Sequence, residues 1–224
     1  MILTLKNFSV NAFCKFQSKA YTSCTPDFSY TFKPGAYALV GQIDHGGWAV
    51  SYALAPIDKK DIYIHKSEDE DRLMFYVDNQ EVSLDYLRTL SHHLGFYTLK
   101  KSAAYNKSAK KQLAKAIKSG TSQYTLNELK EMFGLTEERF KRPLHMTGNE
   151  AWRITAAVGL AAGKKIFCFP WLTNNYLKPL TYAIEKMAEI IRQDNGILLL
   201  PVENADLVKG FVDDIIDLSQ PKIV

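Results

Sequence analysis

The chain has 224 residues, of which 46% are apolar and 23% charged, with a net charge of +4. These values fit one globular domain, or one domain with an inserted subdomain; they exclude a disordered chain and make no case for nucleic-acid binding. The three cysteines (Cys14, Cys24, Cys168) are odd in number and irregularly spaced, so they suggest no metal site or disulfide framework and point to a reduced, cytosolic setting.

The N-terminus alternates and lacks the long apolar stretch of a signal peptide. Residues 2–10, 28–32, 61–65 and 74–77 alternate like half-buried strands, which predicts an antiparallel portion. Residues 37–41, 165–169 and 197–200 are short apolar runs bounded by turn residues, with helical patterns between them. That arrangement predicts a parallel sheet covered by helices. A short helix is expected over 48–54. Thr125 and Glu128 form a capping box ahead of Leu129, Met132 and Phe133. A buried helix is expected over 149–162, with Gly163 as its stop. Leu180, Ala183, Ile184, Met187, Ile190 and Ile191 share one helical face, with Pro179 suited to the first turn and Gly196 to the end. Residues 100–118 are rich in Lys, Ala and Ser and read as a solvated segment. No apolar run is long enough to cross a bilayer, so a membrane role requires a separate membrane partner.

The most informative stretch is 37–51: a buried strand, a loop from Gly41 to Gly46, then a helix. Phosphate-binding loops need this architecture, because glycines let backbone N–H groups curl around the anion and a helix N-terminus adds positive potential. The two glycines have the spacing of G-x-x-x-x-G-K-[ST], but the lysine position holds Gly47 and the Ser/Thr position holds Trp48. Asp44 adds a negative charge inside the loop.

Over nearly its whole length the chain resembles an ATP-binding-cassette (ABC) transporter ATPase. The resemblance rests on the order of residues 28–41, the turn Thr147, Gly148, Asn149 and Glu150 in the place of the family's signature motif, the strand and loop over 165–177, and the closing strand and tail. It implies an α/β fold with a mixed parallel core sheet, an antiparallel β subdomain and an inserted helical subdomain. The whole of 1–224 would then be one domain, with the core at 1–96 and 146–224 and the helical subdomain at about 97–145. The departures from the family are systematic. Its Mg²⁺-supporting Asp and water-polarising Glu fall at Pro170 and Trp171, and its switch histidine falls at Glu203. No Gln is found near 96–99, where its glutamine loop belongs; Phe13 is the candidate for its adenine-stacking aromatic. Each lost group removes on the order of 3 kcal/mol of transition-state stabilisation, non-additively. Trp48 and Trp171 would also fill nucleotide space.

Other clusters carry less. His92 and His93 are adjacent on an expected helix and point in different directions, a poor metal pair. Asp44 and His45 lack a nearby nucleophile, the acidic run at 68–71 reads as an exposed loop, and Cys168 reads as a buried thiol.

The resemblance therefore implies a catalytically degenerate subunit, a pseudo-ATPase with no catalytic residue, metal or cofactor of its own. It would be cytoplasmic and peripheral on the inner face of the membrane. Its partners would be a membrane permease and a second, ATP-competent ABC ATPase, a hetero-dimer being favoured over a homo-dimer, with ATP and Mg²⁺ held by that partner. The alternative is a soluble regulatory or interaction protein that keeps the fold without transport. New chemistry in the altered pocket ranks lowest, because the replacements are Gly, Trp and Pro rather than new acids, bases or nucleophiles.

Overall fold

The computed structural model describes residues 1–16, 19–25, 28–55, 62–63, 73–95, 106–120 and 122–219. The glutamine-loop region at 96–99, the acidic run at 68–71, the first part of the lysine-rich segment and the side chain of Phe13 lie outside the described residues.

Strands β1 (Leu3–Phe8), β2 (Asn11–Phe16), β3 (Lys19–Cys24), β4 (Phe28–Phe32) and β5 (Gly35–Val40) come first, followed by helix α1 (Gly47–Leu54). Next are β6 (Ile62–Tyr63), β7 (Met74–Val77), β8 (Gln80–Val82), α2 (Leu84–Leu90) and β9 (Ser91–His93). Helices α3 (Ala109–Ser119), α4 (Leu126–Met132), α5 (Glu137–Phe140) and α6 (Glu150–Ala161) lead to β10 (Ile166–Cys168). The chain closes with α7 (Asn174–Leu177), α8 (Thr181–Gln193), β11 (Ile197–Val202) and β12 (Asp214–Asp217).

The central sheet has strand order β12-β5-β11-β10-β9, and every pair in it is parallel. Antiparallel pairing joins β4-β1-β7-β8 in one sheet and β3-β2-β6 in another. The α/β architecture expected from the sequence is present.

Strand alternation divides the core in two. Tyr37, Leu39, Ile166, Cys168, Ile197 and Leu199 pack with α1 and the β1 sheet, while Ala36, Ala38, Phe167, Phe169, Leu198 and Leu200 pack with α6 and α8. Trp152 of α6 stacks on Phe169, with ring centroids 5.1 Å apart. The apolar faces of α3 (Ala109, Leu113, Ala116) and α4 (Leu129) join that second cluster.

Local signals explain most boundaries. The Thr125–Glu128 capping box is formed on both sides. Asn195 adopts φ 55 after α8, and Gly196 N–H reaches back to Ile191 C=O at 2.8 Å, closing the helix. Pro179 sits in a 3₁₀ turn, Lys178–Leu180, that feeds α8.

Two expectations need correction. His92 and His93 lie on a strand, not a helix. Leu84, Leu87, Leu90 and Leu94 continue a helical spacing, but α2 stops at Leu90, where Ser91 Oγ donates to Leu87 C=O at 2.8 Å and the backbone turns directly into β9. The N-terminal portion also holds three strands up to Cys24 where the sequence suggested one.

Candidate functional site

Parallel strands end on the same edge of a sheet, so the loops after β5, β10 and β11 converge there. Gly41 N–H donates to Val202 C=O at 3.0 Å, Phe169 N–H to Leu199 C=O at 2.9 Å, and Leu172 N–H to Pro201 C=O at 3.2 Å. This brings together Gly41, Gly46, Gly47 and Trp48 from the glycine loop, Pro170 and Trp171 after β10, and Glu203 after β11.

The loop is shaped for an anion but closes on itself. Gly46 is held at φ 93, and a Cβ there would lie 2.5 Å from Thr25 Cα and 2.6 Å from Cys24 O, so both conformation and space require glycine. Gln42 N–H donates to His45 Nδ1 at 3.1 Å, His45 N–H donates to Gln42 C=O at 3.0 Å, and Ala49 N–H donates to Ser23 Oγ at 3.3 Å. Cys24 N–H holds the loop from outside through Asp44 C=O at 3.0 Å. A phosphate would have to displace those internal acceptors, and the exposed Asp44 carboxylate, 3.7 Å from His45 Nε2, would repel it.

The side chains around the loop work as packing and capping groups. Trp48 is buried in the α1-side core and meets Tyr52 edge-on at 5.6 Å. A Cβ at Gly47 would sit 3.2 Å from both Leu39 O and Pro201 Cβ, so a longer side chain there needs its neighbours to shift. Trp171 is buried, and its indole Nε1–H donates to Gly41 C=O at 2.9 Å. Glu203 accepts from Asn174 N–H at 3.2 Å, placing its charge at the start of α7. Burial pushes the Cys168 thiol well above its ordinary range, which leaves it unreactive.

The turn before α6 is inward-facing at its ends. Thr147 is fully buried, and its hydroxyl donates to Leu144 C=O at 2.6 Å. The buried Glu150 carboxylate accepts from Thr136 Oγ1 at 3.3 Å and Thr136 N–H at 3.4 Å, with Arg139 Nη1 3.5 Å and Arg153 Nη2 3.6 Å away. Gly148, at φ 59, and Asn149 are exposed.

No protein-family model matches the sequence, and no curated protein matches it. Solved structures match its shape. A Pyrococcus furiosus chain described as the ATP-binding protein of an ABC transporter superposes with a TM-score of 0.65 at 11% identity, covering 97% of this chain and 98% of that one. An ATP-binding cassette solved as a dimer bound to ADP and Pi gives 0.60 at 14% identity, covering 98% and 95%. The cbiO1 protein of Clostridium perfringens, part of the transporter complex cbiONQ, gives 0.63 at 11% identity, covering 98% and 85%.

The fold is that of an ABC ATPase. Within it, Gly47, Trp48, Trp171 and Glu203 lie near one edge of the parallel sheet, and each is built into local structure. At the signature-like turn the Thr147 hydroxyl faces Leu144 rather than solvent. Sequence reasoning missed the roles of Ser23 and His45 as internal partners of the cassette loop. Ser23 arrives from β3, a strand that the sequence did not separate, and His45 folds back across a turn whose geometry periodicity does not encode.

Proposed function

We propose that this chain is a catalytically degenerate, nucleotide-binding-domain-like subunit of an ABC transporter, with a structural or regulatory role. The single observation that carries this reading is the Trp171 indole bonded to Gly41 C=O. The position of the water-polarising acid is occupied by a buried aromatic that bridges the two halves of the degenerate nucleotide site. The family's chemistry needs Mg²⁺ and ATP, and these residues do not fit them: the loop amides of Gln42, His45 and Ala49 already have acceptors, and neither Gly47 nor Trp48 supplies an ammonium or a hydroxyl.

Its partners in this reading are a membrane permease and an ATP-competent cassette subunit, placing it on the cytoplasmic face of the membrane. Two of the similar structures give precedent for such pairing, one being a cassette dimer and the other part of a transporter complex. Among the described residues no helix is long and apolar enough to cross a membrane. In a cassette pair the exposed Gly148 and Asn149 would face the partner's nucleotide.

Affinity purification of the tagged chain from gently solubilised membranes tests the assignment. The expected companions are a permease and a second cassette that keeps its lysine and acid. A permease with no competent cassette would replace the hetero-dimer with a degenerate homo-dimer. Recovery without any membrane protein would overturn the transport reading in favour of a soluble interaction protein.

A further inference from the structure

Residues 86–127 contain eight of the chain's 28 lysines and arginines and none of its 24 aspartates and glutamates, so the rest of the chain is net negative. Among the described residues, α3 carries most of this asymmetry. Its Ala109, Leu113 and Ala116 face inward, while Lys110, Lys111, Lys115 and Lys118 are exposed. At 100° per residue Lys111, Lys115 and Lys118 fall on one stripe opposite the buried face, with Lys110 beside it and Lys107 just before the helix.

This arrangement works against the helix itself. Lys110 and Lys111 occupy the first turn, where the helix dipole is positive, and no acidic residue accompanies them there. Lys111 and Lys115 repel each other at i,i+4 spacing. Among the described residues no ion pair relieves any of the α3 lysines, whereas the nearby Lys130, Lys141 and Arg142 are paired with Glu137 or Glu138. A helix that concentrates uncompensated charge on its outer face suits an external anion.

We propose that the α3 lysine face docks on the anionic phospholipid headgroups of a membrane. The 11-residue helix is roughly 16 Å long and lays its cations along one line without an exposed aromatic ring among them. That is the geometry of a flat anionic surface; single-stranded nucleic acid is held by basic grooves with aromatic stacking platforms. Lysine stems also let the ammonium groups reach headgroups while the helix stays packed on the protein. The contact belongs to this chain alone and requires no permease.

Sedimentation of the purified full chain with large unilamellar vesicles tests it, using phosphatidylcholine alone or mixed with phosphatidylglycerol. The chain is expected to bind only the anionic vesicles and to lose binding as salt is raised. The variant Lys111→Gln, Lys115→Gln, Lys118→Gln should bind about a hundredfold more weakly, with an unchanged circular dichroism spectrum. A control, Lys186→Gln with Lys209→Gln, removes two exposed cations elsewhere and should bind as the parent does. Equal binding to neutral vesicles, no binding at low salt, or full binding by the triple variant would each overturn the proposal. So would tighter capture of single-stranded RNA than of anionic vesicles through the same three lysines at matched salt. Because no permease is present, failure here leaves the transporter assignment standing, and failure of that assignment leaves this result standing.

Discussion

Replacing Trp171 with alanine is expected to destabilise the chain by about 3–5 kcal/mol, the usual cost of removing a buried tryptophan. Trp171 lies in the core cluster on the α1 side, and its indole also satisfies Gly41 C=O at 2.9 Å. Trp171→Phe keeps most of the packing and removes the donor, so its cost should be nearer ~1 kcal/mol. The informative variant is Trp171→Glu, which in the proposed reading puts back the acid of an active cassette. Its carboxylate would enter a buried position with no lysine at Gly47 and no metal-binding hydroxyl at Trp48, and burying an unpaired charge is expensive. It should therefore be at least as unstable as the alanine variant and release no phosphate from ATP. Urea unfolding monitored by fluorescence and circular dichroism, with a phosphate-release assay, reads both outcomes. A stable Trp171→Glu chain with ATPase activity would show that a usable site survives beneath the tryptophan.

The second large effect is acid sensitivity from His92 and His93. On β9 adjacent side chains point to opposite faces. His92 faces α6, where its Nε2 donates to Thr155 C=O at 2.9 Å and its ring lies 6.3 Å from that of Phe167. His93 faces α1, 5.3 Å from the ring of Tyr52, and accepts Gly95 N–H at 2.9 Å through Nδ1. Burial is the main force lowering both pKa values. His92 falls to about 4, with Lys164 adding to the shift and the Thr155 bond opposing it. His93 falls to about 3, helped by His92.

The unfolded rings titrate near their ordinary value of 6.5, so below that pH the unfolded chain takes up protons that the fold excludes. Stability is thus full above the ordinary histidine value and falls as the pH drops toward the folded values. The loss for the pair is on the order of 3–4 kcal/mol between pH 7 and pH 5. The double variant His92→Gln, His93→Phe should flatten this part of the profile. Urea unfolding at both pH values checks it, and an identical pH dependence in the parent and the variant would contradict the assignment.

These two cases also mark where the sequence was legible. The site-forming strands were readable because β5, β10 and β11 are buried on both faces and appear as short apolar runs ended by breakers. The capping box at Thr125 and the stop at Gly163 were readable for the same local reasons. Family order then placed Pro170, Trp171 and Glu203 near the glycine loop, and parallel strand pairing brings them there. β9 was hidden because Ser91, His92 and His93 carry no strand-like apolar pattern, and no glycine or proline separates them from α2. Gly159 shows why such a segment is specified only in three dimensions. A glycine inside a helix costs about 1 kcal/mol relative to alanine, but here a Cβ would come within 2.6 Å of His92 and 2.8 Å of Phe167. The glycine belongs to the histidine's packing, a contact across 67 residues that no periodicity records. The closed state of the loop was equally invisible, because it depends on where His45 and Ser23 direct single atoms.

In the proposed reading this cassette fold holds no nucleotide in its own site. Isothermal titration calorimetry of the isolated chain with Mg-ATP at neutral pH tests it most directly. With Gly47 and Trp48 in place, Trp171 bonded to Gly41, and the loop amides of Gln42, His45 and Ala49 already engaged, no tight saturable binding is expected. Tight, stoichiometric Mg-ATP binding would contradict the account.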